Sequence, residues 1–302
     1  MSETVESTAQ APCSDASRAR DEPQAATASR VARWLLVEHR GAWGPQSVPS
    51  SRMTPNVARA LAQTAGGAGA RLVLVRRPHG APQTDGRHVF AVDSSPGGER
   101  IRTRHVADDT DLTRLGWDDE DWAAYDGPLY LVCTHGRHDR CCALRGRPVA
   151  QALSRAHPER TWESSHIGGD RFAPNLVVLP EGLYFGRVEV GDAVRLVEEL
   201  AAGRLPAGHV RGRSSLPLPT QAAQGFAREQ LGLWGVHELV PAGQAGLEPD
   251  VWRVRLAQPD VEVVVRYDRA GGGTHRLTCD AEQDKPVPVF RQVSLRVGAP
   301  AP

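Results

Sequence analysis

Between Cys133 and Asp170 the chain gathers side chains that bind metals. Cys133, Cys141 and Cys142 stand in CTHGRHDRCC with His135 and His138 between them, and His166 and Asp170 flank a Gly-Gly turn in SHIGGDRFAPN. Two thiolates, an imidazole and a carboxylate make four donors, the number that a zinc site or one [2Fe–2S] cluster requires. Cys133 ends an apolar run of strand length, LYLVC. Cys141 and Cys142 stand at the far end of a loop, before a helix expected over 148–156, and exposed N–H groups at a helix N-terminus favour the anionic thiol. The glycines of HIGGD, lacking side chains, let backbone approach a bound group closely.

Each residue also has a plainer role. Cys141 fits equally as a small buried hydrophobe. Cys279, in the strand-like HRLTC, reads as core, and Cys13 falls in a segment expected to be disordered. His135 and His138 read as solvated loop residues or as donors behind the ligands, and Asp170 as a turn cap or a partner of Arg171. The adjacent pair Cys141-Cys142 is poorly placed for a disulfide. Other chemistries lack their motifs: no Gly-x-Gly-x-x-Gly follows a strand, no Gly-x-Ser-x-Gly elbow occurs, and Lys285, the only lysine, sits in no phosphate loop. Cys-x-x-Cys is absent too, which disfavours disulfide exchange.

The elements that must position these donors follow from periodicity. VARWLLVE reads as a strand, and Thr54-Pro55 opens a helix with Val57, Ala60, Leu61 and Thr64 on one face. Strands are expected over 71–75 and 88–92. The same order returns with a strand at 129–132, the helix at 148–156, a hairpin of 175–179 with 183–188 around Pro180-Glu181-Gly182, and a helix over 192–201. Strand, helix, strand, hairpin and helix is the thioredoxin arrangement. WLLVEHRG can be laid over LYLVCTHG, so the first half reads as a degenerate copy without the cysteines. The acidic stretch 108–126 reads as a surface helix or connector with Trp117 and Trp122 as packing anchors.

These readings give an α/β chain in five parts: a disordered segment over 1–29, an N-terminal α/β half over 30–127, a thioredoxin-like domain over 128–203, a linker over 204–219, and a helix plus mostly antiparallel β unit over 220–298. The residues after 297 are Gly, Ala and Pro and read as unstructured. The 36 basic and 36 acidic residues balance, leaving no electrostatic footprint for nucleic acid. The start carries acidic residues and no apolar core of a secretory signal, and no run is long enough to span a bilayer. The expectation is a cytoplasmic protein with no membrane partner, in which five cysteines stay reduced.

Together and in order, CTHGRHDRCC, SHIGGDRFAPN and LPEGLYFGRV resemble the signature of the sucrase/ferredoxin-like family, over a span from about Trp34 to the β unit. The resemblance implies a thioredoxin-like ferredoxin whose [2Fe–2S] centre is held by two cysteines and two histidines, the latter in a His-x-x-x-His turn. Cys133 and Cys142 match the thiolate positions and His166 the first histidine; Asp170 stands where the second would be. Either the carboxylate is itself a ligand, or Cys141 or Cys13 completes the site, or this branch has lost the cluster and binds zinc or nothing. The implied function is electron transfer with a redox partner, rather than catalysis on a substrate of its own; no distinctively set pair of carboxylates supports sucrase activity.

Overall fold

The computed structural model describes residues 11–298 of the 302-residue chain, so the expectations for residues 1–10 and 299–302 lie outside the described residues. The segment expected to be disordered is ordered from residue 11, with helix α1 (Cys13–Ala19) burying Cys13, Ser14 and Ser17. A count of apolar residues misses this because polar contacts with distant residues hold the segment. Arg171 donates to Glu22 at 2.5 Å, and Arg187 donates to the Glu22 carbonyl at 2.8 Å and to Ser17 Oγ at 3.1 Å.

Strand β1 (Arg33–Glu38), helix α2 (Pro55–Gly67) and strand β2 (Ala70–Arg76) form a parallel β-α-β unit. Strands β3 (Arg87–Asp93), β4 (Arg100–Val106) and the short β5 (Ala123–Ala124) add antiparallel beyond β1. Between β4 and β5 lies the brief helix α3 (Asp109–Thr113), capped by the Asp108 carboxylate. The second unit repeats the plan. Strand β6 (Leu129–Cys133), helix α4 (Arg140–Ala156) and strand β7 (Thr161–Ser164) are parallel β-α-β, and β8 (Leu176–Leu179) and β9 (Leu183–Phe185) follow antiparallel before helix α5 (Ala193–Ala201). Strand β10 (Val210–Arg213), inside the stretch expected as a linker, pairs with β9.

All ten strands share one sheet in the order β10-β9-β8-β6-β7-β2-β1-β3-β4-β5. The runs β9-β8-β6-β7 and β4-β3-β1-β2 have the same thioredoxin-like order and meet where β2 and β7 pair antiparallel. Alternation along the strands divides the core. Trp34 and Leu36 of β1 turn to the layer that holds Cys133 and Cys142, whereas Leu35 and Val37 turn to the layer under α2. Helices α4 and α5 cover Tyr130 and Val132 on the second unit.

Beyond the large sheet, helix α6 (Leu218–Leu231) lays Ala222, Ala223 and Ala227 on a separate antiparallel sheet of β11 (Val240–Glu248), β12 (Val251–Ala257), β13 (Val261–Asp268) and β16 (Val289–Val297). A two-stranded excursion of β14 (Thr274–His275) and β15 (Lys285–Pro286) leaves and rejoins it. Cys279 lies in the loop of that excursion, not in a strand. Among the described residues no helix is long and apolar enough to cross a membrane.

Helix α4 departs most from expectation, because it begins at Arg140 and carries Pro148 inside it. Proline removes the bond to the carbonyl four residues earlier, which falls at the exposed Leu144, where water can replace it. The cysteine pair therefore lies in the helix's first turn. Two residues before Pro148, Gly146 sets the distance from α4 to the sheet: a Cβ there would lie 2.1 Å from the Cys133 carbonyl oxygen. Gly146→Ala should lower the urea midpoint by an amount worth about 1–3 kcal/mol for overpacking, outweighing the ~1 kcal/mol that alanine gains as a helix former. An unchanged or raised midpoint would show that α4 does not need this contact.

Candidate metal centre

Cys133 closes β6, and Cys142 arrives from the first turn of α4, with Asp139 as the helix cap between them. The Asp139 carboxylate accepts from Cys141 N at 2.8 Å, a contact of the kind worth about 0.5–2 kcal/mol to a helix. Consecutive helical residues project roughly 100° apart, so neighbours face different surroundings. Cys142 packs in the core with Cys133, while Cys141 packs against Cys13, Ala173 and Cys279. All five cysteines are free thiols.

The other donors come from the turn after β7. Gly168 and Gly169 have φ of +103° and +85°, a backbone form that L side chains rarely adopt. Their bareness makes room for neighbouring side chains: a Cβ on Gly169 would strike the Arg211 guanidinium, and one on Gly168 the Ser29 hydroxyl. Four successive carbonyls of this turn each receive a side-chain donor. Arg71 donates to His166 O at 2.8 Å, Tyr184 to Ile167 O at 3.1 Å, Arg211 to Gly168 O at 2.9 Å and Asn175 to Gly169 O at 2.7 Å.

Of the four residues expected at the site, Cys133, Cys142 and His166 converge, and Asp170 adjoins them through Cys142 and His166. Asp170, 4% exposed, lies with Oδ1 3.1 Å from Cys142 Sγ and 3.0 Å from His166 Nδ1. Ligand atoms of Cys133, Cys142 and His166 all fall within 4.8 Å of one another, as do those of His138, His166 and Asp170. Cys141 and Cys13, the alternative ligands, belong to a different cluster. His138, read as a loop residue, joins the site: its ring centroid is 3.7 Å from that of His166 and its Nε2 is 3.5 Å from Asp170 Oδ2. His135 is buried rather than solvated. Its Nδ1 accepts from the His166 N–H at 3.1 Å and its Nε2 lies 2.8 Å from the Gly44 carbonyl, which fixes the tautomer with the proton on Nε2.

Arg211 had no signal in the sequence beyond the alternation of VRGR, yet it is buried and holds the turn through Gly168 O and the Asn175 side chain. Burial pulls its guanidinium down to about 10, still charged at neutral pH. His135 and His138 could have been found from their place between the cysteines, had the loop been read as folding back over the turn.

Charge at the site is divided among close neighbours. Burial works against the imidazolium of His166, but the Asp170 carboxylate and the Cys133 sulfur outweigh it and raise the group to about 9. Burial opposes the Asp170 carboxylate, yet His138 and His166 hold it below the usual carboxylate range. The Cys142 S–H stabilises a thiolate on Cys133, which is driven down while Cys142 is driven up.

For the metal-free chain the signs follow. A histidine raised from 6.5 to about 9 contributes stability that is complete below 6.5 and lost as pH climbs through about 9. A carboxylate depressed from 3.8 contributes stability present above 3.8 and lost as pH falls through its lowered value. Asp170→Asn should therefore move the His166 midpoint downward in a proton NMR titration of metal-free protein. A midpoint that stays near 9 would mean that the carboxylate does not hold the imidazolium.

Comparison with known proteins places the chain. The sucrase/ferredoxin-like family matches residues 24–212. No curated relative matches the sequence. Among solved structures, a thioredoxin-like [2Fe–2S] ferredoxin from Aquifex aeolicus is similar, 22% identical in its wild-type form, with a TM-score of 0.25 over 30% of this chain and 100% of that one. A cysteine-to-serine variant of that ferredoxin is 23% identical, with a TM-score of 0.25 over 29% of this chain and 100% of its own. With more than half its length matched, this chain belongs to the sucrase/ferredoxin-like family.

Proposed function

We propose that the protein is an electron carrier that holds a [2Fe–2S] cluster at Cys133, Cys142, His166 and Asp170. The observation that carries this reading is the meeting of two thiols from one strand–helix junction with an imidazole and a buried carboxylate from one turn. The donor set suits the group, since thiolates and imidazoles are the known ligands of such iron centres. His166 Nδ1 supports the fit. It lies 3.0 Å from the buried Asp170 Oδ1, so in the metal-free chain a proton holds imidazole and carboxylate together. A bound cation would supply positive charge in that proton's place.

Bound there, such a cluster takes up and releases one electron at a time. The chain's own residues set the conditions. Cys133 and Cys142, at 1% and 0% exposure, keep water from the inner side. His166, a quarter exposed at its side chain, forms the edge toward solvent, where an imidazole can hold a proton when negative charge increases beside it. Asp170 puts a hard anionic donor where the family's pattern has a neutral histidine, which favours ferric iron and a lower potential.

A zinc-binding or cluster-free scaffold is the competing reading, because two cysteines, a histidine and a carboxylate also satisfy tetrahedral zinc. Protein purified anaerobically and reconstituted with iron and sulfide should show the absorption and EPR signals of a [2Fe–2S] centre. Cys133→Ser and Cys142→Ser should each abolish them, Cys141→Ser should retain them, and Asp170→His should raise the midpoint potential. A colourless, iron-free wild-type product would reject the electron-carrier reading, and zinc bound through Cys133 and Cys142 would favour its competitor.

A further inference from the structure

On the other side of α4's first turn, three thiols and a carboxylate from three distant parts of the chain meet. Cys13 opens α1, Asp139 and Cys141 belong to the cap and first turn of α4, and Cys279 comes from the loop between β14 and β15. Their sulfurs form a triangle, with 3.7 Å between Cys13 and Cys141, 3.2 Å between Cys141 and Cys279, and 3.6 Å between Cys279 and Cys13. Asp139 Oδ2 lies 3.6 Å from Cys13 Sγ. Cys13, Cys141 and Asp139 are buried and Cys279 is half-buried.

We propose that Cys13, Asp139, Cys141 and Cys279 form a structural zinc site that clamps helix α1 and the loop between β14 and β15 to the start of helix α4. Tetrahedral zinc with bonds of about 2.3 Å to sulfur and about 2.0 Å to carboxylate sets its ligands about 3.8 Å apart for sulfur pairs and about 3.5 Å for sulfur and oxygen. The sulfur separations of 3.7, 3.6 and 3.2 Å lie inside the first edge, and the 3.6 Å from Cys13 Sγ to Asp139 Oδ2 lies just outside the second, distances that small side-chain rotations bring onto one ion. Three sulfurs in mutual contact suit a single ion, whereas a cluster spreads its thiolates over several metals. They also suit a disulfide poorly, since joining any two leaves the third thiol beside the Asp139 carboxylate with no sulfur partner of its own.

The second ring of contacts supports the same ion. Asp139 is held by two backbone donors, Cys141 N at 2.8 Å and Cys279 N at 2.7 Å, so its carboxylate is oriented before anything binds. Ser14 Oγ donates to Cys141 Sγ at 3.2 Å. Three thiolates and one carboxylate around a dication leave net negative charge, and Arg20, Arg140 and Arg276 line the surface cavity that opens on Cys13 and Cys279. That cavity is also a path by which the ion can enter. Cys141 and Cys142 thus serve two separate centres from consecutive positions. The zinc assignment does not depend on what occupies the pocket at Cys142.

Metal analysis tests it on the full chain. After incubation with zinc chloride and dialysis, the Cys133→Ser/Cys142→Ser double variant should retain about one zinc per chain, and adding Cys13→Ser and Cys279→Ser to it should lower this to below about a tenth. Cobalt loading on the Cys133→Ser/Cys142→Ser background supplies a readout that does not depend on the folding of the second variant. It should give intense tetrahedral bands with thiolate charge transfer, which Cys279→Ser reduces by about a third, one sulfur of three. Overturning results are a wild type that binds no zinc, zinc that departs with Cys133 and Cys142 instead, weak octahedral cobalt bands, or a disulfide joining two of the three cysteines in freshly purified protein.

Discussion

The contact between helix α4 and strand β6 governs where the donors of the candidate centre meet. At Gly146 the helix has no side chain over the Cys133 carbonyl, and at Asp139 its first turn is tied down by a carboxylate cap. Between these two points the register of the helix is fixed, and with it the direction of each thiol. Cys142 faces inward to Cys133 and Asp170, and Cys141 faces the N-terminal helix and the C-terminal loop. A rotation of the helix by one residue would carry one cysteine into the other's place and turn the other away from both, because neighbours differ by roughly 100°.

The second constraint is electrostatic. A turn that presents a histidine and an aspartate to two thiols must keep its backbone still in a medium where unpaired charge is costly. The chain meets this with donors from remote segments: the half-buried Arg71 from β2 and the buried Tyr184 from β9 and Arg211 from β10 each hold one of the turn's carbonyls, and His135 takes the His166 N–H. Fixed donors behind a ligand set its orientation in metal sites. The order of the N-terminal segment belongs to the same network, since Thr27 receives Arg211 through its carbonyl and hydroxyl.

Much of this was legible in the sequence, for identifiable reasons. The continuous apolar run of WLLVE, the Thr54-Pro55 start of α2 and the Pro180-Glu181-Gly182 turn each report local physics, and the observed elements follow them. The repeat suggested by WLLVEHRG and LYLVCTHG corresponds to two units of equal strand order in one sheet. In the first unit Glu38 stands where the second has Cys133; it is buried and paired with Arg40, so that half has no thiol at this place. Strand β7 and the first two turns of α4 were not legible, the latter because Pro148 imitates a helix start. Cys13 and Cys279 were illegible as neighbours, because nothing local relates residues 266 positions apart. Arg211 and Glu22 were missed for a related reason: composition scores a polar stretch as solvated and cannot see that its charges are buried partners.

The central claim is that sulfur from Cys133 and Cys142 and lighter donors from His166 and Asp170 converge on one iron centre. X-ray absorption at the iron edge of the reconstituted wild-type protein tests it most directly. The account predicts a first shell of sulfur together with nitrogen or oxygen, outer scattering from an imidazole ring, and a second iron close by. An all-sulfur first shell, or iron with no iron neighbour, would contradict it.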